Sequence, residues 1–188
     1  MKAERYLELK ERVIEAGYAH EITWAENIAP CCDAADFFGE YAWVVINSGM
    51  KEQIARQIWN RIQTRYDDGG KAVDVFGHKA KARAIDAMRS QKESAFERYQ
   101  SADDKLTFLG RLPWIGPITK YHLAKNLGLS CVKPDRHLTR IAAQYGKSAA
   151  ELCRDIGSET GDRLTVVDSV LWRAANLGFF KEETDGSH

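Results

Sequence analysis

The 188-residue chain is 44% hydrophobic and 10% aromatic, so it can bury a substantial core as one domain or two small lobes. The sequence has no run of about 18 apolar residues, the length that a membrane span needs. The N-terminal segment lacks the apolar stretch of a secretory signal, so we expect a cytoplasmic protein. Lys and Arg together number 27, as do Asp and Glu, which confines any nucleic-acid contact to a local patch.

The sulfur and imidazole side chains do not form a metal motif. Cys31, Cys32, Cys131 and Cys153 are too widely spaced for a paired Cys-x-x-Cys site, and the histidines are equally scattered. We therefore predict buried free thiols, with no metal and no cofactor.

The hydrophobic pattern is helical along almost the whole chain. Apolar residues recur at three- and four-residue spacing, as in Tyr6–Ile14 and Ile54–Ile62, and glycine-containing breaks leave roughly eight to ten helices of about 11 residues. The run Gly39–Ser48 resembles a strand, but the continuation of the apolar pattern through Met50 favours a buried helix. The sequence predicts an all-α protein with one helical domain over 1–180 and a frayed polar tail over 181–188.

A proline- and glycine-containing segment, Leu112–Pro117, separates helical patterns at 102–111 and 117–127. We expect Pro113 to end the first helix, Gly116 to adopt backbone angles closed to other residues, and Pro117 to take the first position of the second helix. The result is a rigid helix-hairpin-helix.

Such a hairpin directs backbone N–H groups and the positive end of a helix dipole towards an anion, so it can bind a DNA phosphate without reading a base. An ordinary corner between two helices uses the same residue types. The candidate DNA contacts of the hairpin are Leu112, Trp114, Gly116, Thr119 and Lys120.

The segment Lys133–Leu138 begins another amphipathic helix. It contains Asp135, which lies nineteen positions after Gly116. Aspartate is a favoured helix N-cap because its carboxylate accepts backbone N–H groups, and capping alone would explain Asp135. Capping and catalysis do not exclude each other.

Together, the motifs LPWIGP and VKPDRHLTRI resemble the hairpin, loop and aspartate of the HhH-GPD DNA glycosylase superfamily over residues 102–145. The resemblance implies a two-lobed helical fold, a monomer acting on double-stranded DNA, and rotation of the target base out of the stack. It also implies that Asp135 is the catalytic residue, which stabilises positive charge on the deoxyribose or orients the nucleophile.

Other sites carry weaker signals. Val45–Met50 is similar to the helix-to-loop segment that this superfamily wedges into DNA, with Asn47 or Met50 filling the gap left by the base. Lys133 and Arg136 are candidate phosphate contacts, although charged side chains on helices are usually just solvated. The candidates for a base pocket are Trp24, Tyr41 and Trp43, each of which would serve equally as core.

The sequence also departs from the superfamily. Bifunctional members carry a lysine two residues after the hairpin glycine, where this chain has Ile118, and many members bind an iron-sulfur cluster through four clustered cysteines that are absent here. The resemblance therefore implies a monofunctional enzyme that uses water.

Two alternatives remain open. Some phage proteins of similar appearance transfer an amino acid or amine to an activated hydroxymethyl-pyrimidine in DNA, and the same carboxylate would then orient the amine or act as its general base. A protein that retained the hairpin but lost catalysis would only bind DNA.

Overall fold

The computed structural model describes residues 1–180, which are helical with no β-strand. The predicted all-α class is confirmed, and the expected tail over 181–188 lies outside the described residues. A kink at Gly17, which has a φ of 92°, separates the first helix from the second. In chain order the α-helices are α1 Ala3–Val13, α2 Ala19–Asn27, α3 Ala34–Asn47, α4 Glu52–Asp67, α5 Ala72–Val75, α6 Lys79–Ser90, α7 Lys92–Ser101, α8 Lys105–Leu109, α9 Thr119–Asn126, α10 Arg136–Ala143, α11 Ala149–Thr160 and α12 Leu164–Asn176.

The chain divides into two compact units. Among the described residues, unit 1 contains 1–29 and 130–180, and unit 2 contains Pro30–Leu129. The hairpin motif therefore belongs to unit 2 and Asp135 to unit 1. No helix within the described residues is both long and apolar enough to cross a membrane.

Unit 1 is built around α12, whose apolar residues are buried along most of its length. Helix α10 presents Leu138, Ile141 and Ala142 to the same core, as its periodicity predicts. Burial of this apolar face fixes the orientation of α10, and with it the loop that ends at Asp135.

Unit 2 is organised around α3, which buries Phe37, Tyr41 and Val45 and packs against α4, α6, α7 and α9. The prediction of a buried helix is confirmed, but its continuation beyond Ser48 is wrong. Ser48 has an extended backbone conformation and Gly49 a φ of 77°, so α3 ends at Asn47 and a tight turn follows.

Candidate functional site

The hairpin joins a very short α8 to α9. Helix α8 begins after Asp104, whose carboxylate accepts hydrogen bonds from the Thr107 backbone N–H at 3.0 Å and the Thr107 hydroxyl at 2.6 Å. It ends at Leu109, before Pro113, and α9 begins at Thr119 rather than at Pro117. The predicted helix limits are therefore wrong at this hairpin, because local capping and turn hydrogen bonds decide them.

The left-handed residue of the hairpin is Trp114, with a φ of 65°, whereas Gly116 has no positive φ. Two contacts hold this conformation. The Tyr41 hydroxyl donates to the Pro113 carbonyl at 3.0 Å, and the His78 ring meets the Trp114 ring edge-on at 5.1 Å between centroids. The expectation that Gly116 supplies the unusual backbone angles is wrong, because Trp114 adopts them instead. The contacts with Tyr41 and His78 offset the cost of this strained conformation.

The polar groups of the hairpin are partly satisfied within it. The Gly116 N–H donates to Thr119 Oγ1 at 2.6 Å, so the hydroxyl predicted to contact DNA already supports the turn. Among the described residues, the backbone N–H groups of Ile118 and Thr119 have no acceptor. The Trp114 N–H also has no acceptor there, but the Ile118 and Thr119 groups lie at the start of α9, where the helix dipole favours an anion.

The side chains next to these N–H groups differ in environment. Ile115 is buried and Leu112 is half-buried, whereas Trp114 and Ile118 are 45% and 42% exposed. Lys120 lies beside Gly110, with its ammonium 5.2 Å from the centre of the Tyr121 ring.

Sequence reasoning missed a buried lysine beside the hairpin. Lys81 on α6 is only 8% exposed, and its ammonium donates to the Ser48 carbonyl at 2.7 Å. The ammonium lies 6.0 Å from the centre of the Trp114 ring, and burial lowers the pKa of Lys81. Its position next to the apolar face of α6 could have indicated that it is buried. The sequence could not indicate its partner, because Ser48 lies 33 residues away.

The turn predicted to wedge into DNA is a compact element. Asn47 and Met50 are both half-buried, and the Met50 N–H donates to the Asn47 carbonyl at 3.1 Å. Lys81 holds the same turn at Ser48. Insertion of either side chain into DNA stays a prediction.

In unit 1, Asp135 is the N-cap of α10, as predicted. Its Oδ1 accepts the N–H groups of His137 at 2.9 Å and Leu138 at 3.1 Å, and its own carbonyl accepts the Thr139 N–H at 2.9 Å. Its Oδ2 has no hydrogen-bond partner among the described residues. The start of the helix thus fixes one carboxylate oxygen and leaves the other without a partner among the described residues.

The loop before Asp135 is also fixed from α12. Asp168 is 4% exposed, and its Oδ1 accepts the Lys133 N–H at 3.2 Å. The Asp135 N–H in turn donates to the Lys133 carbonyl at 2.8 Å. Asp168 is a second residue that sequence reasoning missed. The signal that could have found it is an acidic residue within the apolar sequence of α12.

A cavity of about 440 Å³ lies beside the start of α10. Arg136, His137 and Arg140 line it together with Ala175 and Asn176, and no carboxylate is among these lining residues. The cavity therefore favours an anion. This location is consistent with Arg136 as a phosphate contact, which stays a prediction.

The three aromatic candidates for a base pocket do not share one environment. Trp24 lies on α2 of unit 1 and is exposed, whereas Tyr41 is fully buried and Trp43 half-buried on α3 of unit 2. Tyr41 supports the hairpin through its hydroxyl. Within the described residues, no group of three or more His, Cys, Asp or Glu side chains could hold a metal ion.

No protein-family model and no curated protein sequence matches this chain. Its helices superimpose on a solved structure of the Methanocaldococcus jannaschii 8-oxoguanine glycosylase/lyase in complex with 15mer DNA containing 8-oxoguanine, with a TM-score of 0.62 and 17% identity over 94% of this chain and 97% of the other. A second structure of the 8-oxoguanine DNA glycosylase from the same organism gives a TM-score of 0.60 and 17% identity over 94% of each chain. The chain therefore has the fold of these 8-oxoguanine DNA glycosylases.

Proposed function

We propose that this protein is a monofunctional DNA glycosylase, which rotates a damaged or modified base out of double-stranded DNA and hydrolyses its N-glycosidic bond. The observation that carries the proposal is the Asp135 carboxylate, with Oδ1 held by two backbone N–H groups and Oδ2 without a partner among the described residues. The shared glycosylase fold and the anion-binding hairpin support it.

In this proposal the hairpin binds the sugar-phosphate backbone. The Ile118 and Thr119 N–H groups donate to one phosphate at the positive end of α9, a contact that is independent of base sequence. The Asn47–Met50 turn fills the space left by the rotated base, and Lys81 keeps that turn in place.

Asp135 then acts on the sugar. As the C1′–N bond breaks, the base leaves with the electron pair and positive charge develops on the deoxyribose, which the nearby carboxylate stabilises. The departing base takes up a proton from solvent, water adds to C1′, and the proton that this water loses passes to the carboxylate or to solvent. The products are a free base and an abasic site.

Ile118 supports hydrolysis over strand cleavage through a Schiff base, because its side chain has no amine. Two lysines at or beside the hairpin already have contacts within the protein. Lys81 is buried against the Ser48 carbonyl, and Lys120 lies beside Gly110. We therefore expect the phosphodiester backbone to remain intact until the abasic site is treated with alkali.

The test is a panel of duplex oligonucleotides that each contain one modified base, including 8-oxoguanine, uracil, 5-hydroxymethyluracil and an alkylated purine. Mass spectrometry of the products should detect a free base and an abasic strand from at least one duplex. A heavier nucleoside formed only with an added amine donor would indicate a transferase instead. Tight binding without any product across the panel would indicate a DNA-binding protein without catalysis.

A further inference from the structure

The tip of the hairpin carries a tryptophan in a conformation that favours glycine. Trp114 has a φ of 65° and is the one non-glycine residue with a positive φ among residues 1–180. Bulky side chains rarely adopt this region, because the Cβ atom approaches the backbone too closely. A glycine would satisfy the backbone at lower cost, so the fold alone does not explain tryptophan here.

The indole ring contacts two side chains of the protein. The His78 ring packs against it edge-on at 5.1 Å and 82°, and the Lys81 ammonium lies 6.0 Å from its centre. The hydrogen bond from Tyr41 to the Pro113 carbonyl fixes the preceding residue. Even so, 45% of Trp114 remains exposed.

A second exposed apolar side chain lies on the other side of Gly116. Ile118 is 42% exposed, and its own N–H, like those of Trp114 and Thr119, has no acceptor among the described residues. The hairpin thus presents N–H donors together with apolar side chains. The DNA backbone has the matching chemistry, because each phosphate is flanked by deoxyribose rings with apolar C–H faces.

We propose that Trp114 and Ile118 form an apolar contact surface for the deoxyribose rings on either side of the phosphate bound by the hairpin. This inference rests on the proposed function, since it requires that the hairpin bind DNA. This apolar surface adds an uncharged contribution to the affinity of a contact that would otherwise be electrostatic. It also gives the strained Trp114 a role.

The test exploits the backbone angle at position 114. In Trp114→Gly the backbone keeps a φ that glycine adopts freely, so the variant should melt within a few degrees of the unaltered protein. Trp114→Phe retains an aromatic ring, and Ile118→Ser changes a side chain that is already exposed. Leu7→Ala on α1 of unit 1 is a matched control, because Leu7 is 46% exposed.

The measurement is the Kd for a fluorescent duplex at several salt concentrations. We expect Trp114→Gly to weaken binding on the order of tenfold at every salt concentration, with the slope of log Kd against log salt unchanged. Trp114→Phe should recover most of the affinity, Ile118→Ser should lose about threefold, and Leu7→Ala should bind like the unaltered protein.

Trp114→Gly and Ile118→Ser variants that both bind like the unaltered protein would overturn this inference and leave the proposed function intact. A shallower salt slope in Trp114→Gly would also overturn it, because the ring would then be acting through phosphate contacts. If the unaltered protein binds no duplex, the proposed function itself fails.

Discussion

The fold of the free protein does not require a glycine at position 116. Gly116 has no positive φ, and a Cβ atom built on it would lie 3.7 Å from Thr119 Oγ1, which is ordinary van der Waals contact. Neither strain nor crowding in the free protein therefore requires glycine. A phosphate that approaches the N–H groups after Gly116 would require glycine, because a side chain there would keep it away from the backbone.

We predict that Gly116→Ala leaves the melting temperature within a few degrees of the unaltered protein but weakens binding to duplex DNA by about tenfold, because the added methyl group keeps the phosphate away from the backbone. Thermal melting and fluorescence anisotropy measure the two effects. Gly39→Ala is the control, since a Cβ atom at Gly39 on α3 meets nothing within 4 Å. Equal DNA affinity for both variants would contradict close approach at Gly116.

At the scale of elements, a partly buried carboxylate connects α3 to the helix that follows the hairpin. Glu40 on α3 accepts a hydrogen bond from the Asn126 amide on α9 at 2.7 Å. Burial raises the pKa of Glu40 above its ordinary value of 4.5, and the neighbouring Asp36 charge adds to this rise. The stability that the protonated side chain contributes is complete below pH 4.5 and is lost as pH rises through the folded-state pKa.

We therefore predict that Glu40→Gln raises the free energy of unfolding at pH 7 by about 0.5 to 1 kcal/mol, because the amide keeps the hydrogen bond to Asn126 without a buried charge. At pH 4 the difference should be small. Urea denaturation at both pH values measures it, with the exposed Glu97 on α7 changed to glutamine as the control. A Glu40→Gln variant that is less stable than the unaltered protein at pH 7 would show that the ionised carboxylate is stabilising.

The helices that sequence predicts best are those determined by their own residues. Asp135 and the apolar face of α10 are both visible in the local pattern, and the structure has this cap and this face. The limits of α8 differ from the expected 102–111 because Asp104 caps a shorter helix. Lys81 and Trp114 could not be assigned, because their conformations depend on contacts with Ser48, Tyr41 and His78 that are distant in sequence.

For the whole molecule, the balance of 27 basic and 27 acidic residues limits electrostatic attraction to DNA. The hairpin offers neutral N–H donors, and the charged candidates beside Asp135 are few. If the protein binds DNA as proposed, apolar contacts and hydrogen bonds must supply much of the affinity.

We predict a shallow salt dependence, with a slope of log Kd against log salt that corresponds to about two to four neutralised phosphates. Anisotropy titrations of a duplex between about 50 and 200 mM salt measure this slope. A slope that corresponds to about eight or more phosphates would mean that binding uses a basic surface other than the hairpin.

Base release by Asp135 variants is the most direct test of the account. Asparagine is as good an N-cap as aspartate, so Asp135→Asn should keep the melting temperature of the unaltered protein while losing the charge that stabilises the sugar cation. The matched control is Asp33→Asn at the N-cap of α3, where the carboxylate accepts the Asp36 N–H at 2.8 Å. Under single-turnover conditions, on a substrate that the unaltered protein processes, Asp135→Asn should release base at least about 100-fold more slowly. Asp33→Asn should match the unaltered protein, and base release by Asp135→Asn at the same rate would contradict a catalytic role for Asp135.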